Sequence, residues 1–109
     1  MNKNIAISEG RVFFITDTYG SVNPREVHGF FFDDVRHLSF FQTYVNGDFL
    51  DLLDVNENRF NRVIFVKKNK ESFFLPKDSL TIIEDRILDD GLFEVVKFIN
   101  NSKEKLKFV

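Results

Sequence analysis

Short apolar runs separated by turn-forming residues dominate the hydrophobic pattern of this chain. The runs are rich in Phe, Val and Ile, which is typical of β-strands. Only residues 55–60 have some helical character, and they could form one turn at most. The predicted strands are residues 11–16, 29–32, 38–45, 48–53, 61–68, 72–75, 79–88 and 92–99.

Asn46-Gly47 gives the strongest hairpin signal, because a type I′ turn needs positive φ at both central residues. A two-residue loop fixes the register, so we expect Tyr44 to face Phe49. The same register, continued away from the turn, would pair Phe40 with Leu53. The sequence therefore predicts a long hairpin around this turn.

A second hairpin is predicted around Asp89-Asp90-Gly91, and its register is open. A two-residue loop would place Glu84 opposite Lys97, whereas a three-residue loop would place Arg86 opposite Glu94. Either register gives one cross-strand ion pair. We expect that pair to be exposed, and exposed pairs contribute only ~0.2–1 kcal/mol to stability.

Strands joined by turns about every 8–12 residues are typical of β-sandwiches and barrels. We therefore predict an all-β fold, an antiparallel β-sandwich-type module, in which residues 1–109 form a single β domain. Residues 106–109 begin a further apolar segment where the sequence ends. On this ground we expect a truncated part of a larger sandwich, with an open sheet edge.

Composition narrows the classes of function. The 109 residues include 15 Phe, 2 Tyr and no Trp, so most aromatic side chains are expected in the core. The net charge is −2 with acids and bases interspersed, which favours neither nucleic acid nor a membrane as a partner. The sequence has no cysteine, secretion signal or membrane-length apolar run, and we expect a cytoplasmic protein.

The sequence offers no defensible catalytic residues. Asp33 and Asp34 are adjacent, so in a strand their carboxyls point to opposite faces, whereas a glycosidase pair flanks one bond at ~5–9.5 Å. His28 and His37 lack metal-ligand spacing and are better explained as loop histidines with satisfied hydrogen bonds. We therefore predict no catalytic residues, no metal site and no cofactor.

Four motifs follow one another along the chain. Residues 10–20 fit G-x-x-F-x-x-x-D-x-x-G, and residues 29–39 fit G-L/F-F-x-x-D-T-R-x-L-S, with Val35 replacing the usual Thr. Residues 46–53 fit N-G-x-x-L-x-x-L. A more loosely spaced passage contains Arg86, Gly91, Glu94, Asn100 and Ser102. Together these motifs resemble the N-terminal domain of prokaryotic glycogen debranching (amylo-α-1,6-glucosidase-like) enzymes.

This resemblance implies a non-catalytic N-terminal domain that supports a catalytic domain and contacts α-glucan. The parent would be a glycoside hydrolase of the α-1,6-glucosidase type. Its catalytic (α/α) helical barrel, which cannot fit in 109 residues, would be the partner, in the same polypeptide or as a partner chain. Two alternatives stay open, namely a free-standing carbohydrate-binding module and a β module that forms homo-oligomers through an open sheet edge.

Six residues are candidates for a carbohydrate or domain interface. Asp34 and Arg36 would share one face of a strand, where they could form a structural corner or frame a sugar site. Tyr19, beside Gly20 in a turn, could stack on a sugar ring or pack over its own loop. The full set is Tyr19, Phe30, Phe32, Asp34, Arg36 and His37.

Overall fold

The described part of the chain contains ten strands and no helix, which confirms the predicted all-β fold. The computed structural model describes residues 4–33, 35–72 and 75–109. No helix in these ranges is long and apolar enough to cross a membrane. The first sheet has four antiparallel strands in chain order: β1 (Ile5–Glu9), β2 (Val12–Thr16), β3 (Gly29–Phe32) and β4 (Val35–Leu38).

A short ribbon and a second, larger sheet complete the fold. The ribbon pairs β5 (Tyr44–Val45) with β6 (Asp48–Phe49). The second sheet contains β7 (Asp51–Arg59), β8 (Arg62–Lys68), β9 (Leu80–Leu88) and β10 (Leu92–Asn100). Its strands are antiparallel and lie in the order β10-β9-β8-β7, so β10 and β7 are its edges.

The first core cluster lies between the inner faces of the two sheets. Buried positions alternate along β2, with Val12, Phe14 and Thr16 turned inward, because successive side chains of a strand point to opposite faces. Val12 and Phe14 belong to one cluster with Val63 and Phe65 of β8. The buried members are Ile5, Ile7, Val12, Phe14, Val22, Val63, Phe65 and Leu88.

A second core cluster covers the other half of the large sheet. Leu80 and Ile82 at the start of β9 pack there with Val45, Leu50 and Leu75, whereas the end of β9 belongs to the first cluster. The apolar segment at residues 106–109 forms no strand. It packs against this second cluster, and its last residue exchanges hydrogen bonds with Asn46.

The long hairpin predicted around Asn46-Gly47 is wrong beyond its first two residue pairs. Tyr44 does face Phe49, and Asn46 and Gly47 both have positive φ. After Phe49, however, the buried side chain of Leu50 joins the second cluster, and β7 then pairs with β8. The nine-residue β7 also replaces the helical turn predicted for residues 55–60, because pairing in a large sheet outweighs local propensity.

Three other assignments differ from the structure. The strand predicted at residues 38–45 is replaced by β4 (Val35–Leu38) and the two-residue β5 (Tyr44–Val45). The sequence-based prediction omitted β1, although Ile5 and Ile7 alternate with exposed positions there. Ser72 and Leu75, the ends of the strand predicted at residues 72–75, form an isolated bridge with each other and do not pair with β8. Residues 73 and 74 of that prediction lie outside the described residues.

The β9–β10 hairpin has the three-residue loop, which places Arg86 opposite Glu94. The expectation that this ion pair is exposed is wrong, because Arg86 is only 1% exposed. Arg86 and Glu84 occupy the inward-facing positions of β9, in register with the apolar residues of that face. Two charged side chains are therefore built into the core.

The outer face of the large sheet is apolar on its β9–β10 side. Paired residues on neighbouring strands share a face, so Phe93 lies beside Ile87, and Ile64 and Val95 flank Asp85. Seven exposed or half-buried residues form this outer apolar face: Ile64, Val66, Ile83, Ile87, Phe93, Val95 and Ile99.

An ion pair lies within the outer apolar face. Arg62 binds Asp85 with two hydrogen bonds, Nε to Oδ1 at 3.0 Å and Nη2 to Oδ2 at 2.6 Å. These hydrogen bonds lower the pKa of Asp85 below its ordinary value, and the nearby charges of Arg62 and Lys97 add to the effect. Partial burial opposes the shift but does not cancel it.

Replacement of Asp85 by Asn should lower the melting temperature slightly at neutral pH. Because the folded-state pKa lies below the unfolded one, the carboxylate stabilises the fold above the ordinary Asp pKa of about 3.9. That contribution disappears as the pH falls through the folded-state pKa. The difference between wild type and Asp85→Asn in calorimetric scans should therefore shrink in acid. An exposed aspartate on β6 provides the control, Asp48→Asn, and a pH-independent difference at Asp85 would contradict the assignment.

Candidate functional site

Four charged side chains occupy the boundary between the two core clusters. Along the inner face of β9, Ile82 belongs to the second cluster and Leu88 to the first, and Glu84 and Arg86 lie between them. Lys67 of β8 is 4% exposed, and Glu94 of β10 reaches in from the edge. We call Lys67, Glu84, Arg86 and Glu94 the charged seam; it contains two cations and two anions.

Arg86 contacts aromatic rings from both sides of the seam. Its guanidinium carbon lies 5.5 Å from the ring centroid of Phe14, 5.1 Å from that of Phe41 and 5.0 Å from that of Phe65. Phe14 belongs to the first sheet and Phe65 to the second. A desolvated cation over an aromatic ring contributes about 2 kcal/mol, so Arg86 helps to hold the two sheets together.

The hydrogen bonds of Arg86 reach three separate parts of the chain. Nη1 donates to the carbonyl oxygen of Gly20 at 2.6 Å, and Nε donates to Glu94 Oε2 at 2.5 Å. Nη2 donates to Glu84 Oε1 at 3.3 Å. The rigid fork of the guanidinium thus fixes the loop between β2 and β3 relative to β9 and β10.

Glu84 is the anionic centre of the seam and is fully buried. Its Oε2 pairs with Lys67 Nζ, and its Oε1 accepts hydrogen bonds from Arg86 and from Thr43 Oγ1, the latter at 3.2 Å. A buried charge is tolerated only when it is paired and hydrogen-bonded. Each member of the seam therefore depends on the others.

The loop at residues 17–21 is held at the edge of the seam. Asp17 Oδ1 accepts the backbone N–H groups of Tyr19 and Ser21, each at 2.9 Å. Gly20 has a φ of 76° and is packed so tightly that an added Cβ would lie 2.8 Å from Arg86 Nη1. These contacts fix the backbone that presents Tyr19.

A pocket of about 300 Å³ opens beside this loop. Its walls come from the 17–21 loop, the segment before β5, the ribbon and its continuation, and the end of β8. Lys67 connects the pocket to the charged seam, since it lines the pocket and pairs with Glu84. The lining residues are Asp17, Tyr19, Ser21, Gln42, Thr43, Phe49, Leu50, Asp51, Lys67 and Lys70.

Of the six predicted site residues, the structure places Tyr19 in the pocket. Its side chain is 50% exposed. Phe30 instead packs edge-on against Phe14 in the first cluster, with ring centroids 6.4 Å apart. Phe32 lies at the far end of β3 beneath the guanidinium of Arg11. The five described residues of this set do not form one site, because Phe32 and the Tyr19 loop lie at opposite ends of β3.

Arg36 and His37 lie on β4, away from the pocket. Arg36 Nη2 reaches the carbonyl oxygens of Asn23 and Glu26, each at 3.4 Å, so it holds the loop between β2 and β3. The ring of His37 lies 6.3 Å from that of Phe30. Asp34 lies outside the described residues.

His28 is a buried loop histidine. Its Nδ1 accepts the backbone N–H of Asn23 at 3.1 Å, and Nε2 lies 3.0 Å from Asn4 Oδ1. The first contact requires an unprotonated Nδ1, so Nε2 carries the proton and donates to Asn4. Both ring nitrogens are thus used within the fold.

The sequence-based prediction missed the charged seam and most of the pocket. A signal was present in β9, where Glu84 and Arg86 fall at the same period-2 positions as Leu80, Ile82 and Leu88. Charged residues in phase with an apolar face indicate a buried ion pair. The pocket had no comparable signal, because it combines residues from four separate segments.

The fold and the pocket define an all-β, sandwich-type module with a polar, aromatic-lined cleft next to its core. A family model described as the N-terminal domain of some glycogen debranching enzymes matches residues 7–109, nearly the whole chain. The chain therefore belongs to this family, which confirms the resemblance seen in its motifs. Searches of curated proteins and of solved structures found no match to the chain.

Replacement of Arg86 by Met should lower the free energy of unfolding by about 3–5 kcal/mol, because it removes the buried cation that Glu84 and Glu94 share and leaves Lys67 as the remaining cation of the seam. Glu94→Gln should cost about 1 kcal/mol, since its side chain is a quarter exposed and the amide can still accept the hydrogen bond. Urea denaturation measures both values. Equal, small losses for the two variants would contradict a buried seam.

Gly20→Ala should destabilise the protein more than Gly47→Ala. Both glycines have positive φ, 76° and 82°, so both variants carry the backbone penalty of about 1–2 kcal/mol. Only at Gly20 would the new methyl group press on Arg86 and Phe65, which should add about 1–3 kcal/mol. Urea denaturation of the two variants measures this difference in the free energy of unfolding. Equal decreases for Gly20→Ala and Gly47→Ala would show that Gly20 is not tightly packed against Arg86.

Proposed function

We propose that this chain is the non-catalytic N-terminal domain of a glycogen debranching glycosidase, that it supports the catalytic domain, and that it contacts α-glucan. Membership of the family supports a glycosidase as the parent protein. The proposed partner is the helical (α/α) barrel that the sequence motifs imply, in the same polypeptide or as a partner chain.

The outer apolar face is the observation that carries this proposal. Phe93 and Val95 are 57% and 56% exposed, and Ile87 and Ile99 continue the patch. Large apolar side chains that lie exposed near one another on a sheet face mark interaction surfaces in many soluble proteins. An apolar sheet face is covered in most folds by helices or by another sheet, and a helical barrel would supply the helices.

The position of the outer apolar face also suits docking of another domain. It lies on the face of the large sheet opposite the charged seam and the pocket, because Val95 and Phe93 share a face with Asp85 and Ile87 and not with the inward-facing Glu84. A domain packed there would leave the pocket open to solvent. Support of the barrel and contact with glucan are therefore compatible roles.

The chain should bind the catalytic domain of its parent enzyme when the two are expressed separately and mixed. Hydrogen exchange should then slow in β8, β9 and β10, since their outer face becomes covered. A Phe93→Ser/Val95→Thr variant should weaken the complex at least about tenfold, because burial of two such side chains contributes more than 1.4 kcal/mol. Analytical ultracentrifugation measures the affinity.

Phe60→Ser is the matched control, because Phe60 is 73% exposed at the β7–β8 turn and is not part of the outer apolar face. It should leave binding unchanged. Absence of a complex, or protection confined to β3 and β4, would contradict docking through this face.

The homo-oligomer alternative makes a different prediction for the same sample. The free backbone edge of β10, flanked by Phe93 and Phe98, could pair with a second copy of the chain. A concentration-dependent dimer of the isolated chain, abolished by Phe93→Ser/Val95→Thr and not displaced by the catalytic domain, would favour this alternative over the docking proposal.

A further inference from the structure

We propose that the pocket beside the charged seam binds one pyranose ring of an uncharged α-glucan, with Tyr19 and Phe49 as its aromatic walls. This inference rests on the proposed contact with α-glucan and names the site where it occurs. The pocket volume of about 300 Å³ is at the lower end of the range for small-molecule sites, which suits a single ring with its neighbours in solvent.

Two half-exposed aromatic rings give the pocket its apolar surfaces. Tyr19 and Phe49 line it and are each 50% exposed. The ring of Tyr44 packs against Phe49 with the centroids 5.1 Å apart, which holds Phe49 in place. The C–H groups of a pyranose present flat, weakly polar patches, and aromatic rings offer matching surfaces.

The backbone behind Tyr19 is already ordered for binding. Asp17 accepts hydrogen bonds from the backbone N–H groups of Tyr19 and Ser21, and the carbonyl oxygen of Gly20 accepts one from Arg86. Ligand binding therefore loses little conformational entropy in this loop, and preorganised sites gain affinity in this way.

The charges of the lining argue against an anionic ligand. Lys67 and Lys70 are matched by Asp17 and Asp51 among the lining residues. Lys67 is also paired with the buried Glu84, and Lys70 Nζ lies 3.8 Å from Asp51 Oδ1. No surplus positive charge is left to bind a phosphate or carboxylate, so the site favours a neutral ligand.

The remaining lining groups match a polyhydroxylated ligand. Gln42 can both donate and accept hydrogen bonds, and the Thr43 hydroxyl, which donates to Glu84, can still accept one. The carboxylates of Asp17 and Asp51 accept hydrogen bonds, and Lys70 donates them. Sugar hydroxyls are donors and acceptors at once, so such a mixed lining can pair with several of them. A pyranose satisfies both the aromatic and the polar requirements of the pocket.

Titration of the 109-residue chain with maltotriose, followed by amide NMR shifts, tests this inference. Saturable shifts at residues 17–21, 42–43 and 49–51 are expected. Tyr19→Ala and Phe49→Ala should each weaken binding about three- to tenfold, the loss of one aromatic contact. Tyr19→Phe, which keeps the ring, should bind nearly as well as wild type, and Phe60→Ala, outside the pocket, should change nothing.

Three outcomes would overturn the inference. Absence of saturable shifts at millimolar maltotriose would exclude the sugar site, and stronger binding of inorganic phosphate in the same pocket would replace the neutral ligand by an anion. Shifts confined to β3 and β4 would move the glucan contact elsewhere while leaving the proposed function intact. The proposed function fails separately, if neither the catalytic domain nor α-glucan binds the chain at any surface.

Discussion

The buried guanidinium of Arg86 is the constraint on which the rest of the structure depends. It lies between Phe14 of the first sheet and Phe65 of the second, and it donates hydrogen bonds to the Gly20 carbonyl oxygen and to Glu84. A charge at this depth must be fully paired. That requirement fixes the β2–β3 loop, the β9–β10 register and the position of Lys67 together, and so determines the shape of the adjoining pocket.

The large sheet has a different role on each face. Its inner face carries two apolar clusters separated by the charged seam, which stabilise the fold and support the pocket. Its outer face exposes Phe93, Val95 and Ile99 to solvent. Exposed apolar residues on an edge strand favour aggregation. The proposed docking of a catalytic domain would cover this face and would leave the pocket accessible to an α-glucan chain.

The sequence predicted the fold class well because short β-branched and aromatic runs between turns leave few alternatives. It also predicted the Asn46-Gly47 turn, which depends on two residues with positive φ. It failed where tertiary pairing decides the outcome. Nothing local in residues 51–59 indicates that they pair with β8 and not with the strand before the turn.

The site residues also divide into those that a local sequence pattern indicates and those that only the tertiary fold brings together. Tyr19 was chosen because a tyrosine beside a glycine in a turn is a local feature, and the structure places it in the lining of the pocket. Phe30, Phe32, Arg36 and His37 were chosen from one contiguous motif, and the strand alternation and the β3–β4 bulge disperse their side chains. Lys67 and Gln42 meet Tyr19 only because the seam brings distant segments together, which no local pattern shows.

The buried charged seam is tested most directly by the exchange of the Arg86 Nε–H proton, measured by NMR together with its contacts to aromatic protons. A buried guanidinium should show slow exchange, nuclear Overhauser contacts to Phe14, Phe41 and Phe65, and loss of protection in a Glu84→Gln/Glu94→Gln variant. Fast exchange with solvent, and no contact to ring protons of the small sheet, would contradict a buried seam that joins the two sheets and supports the pocket.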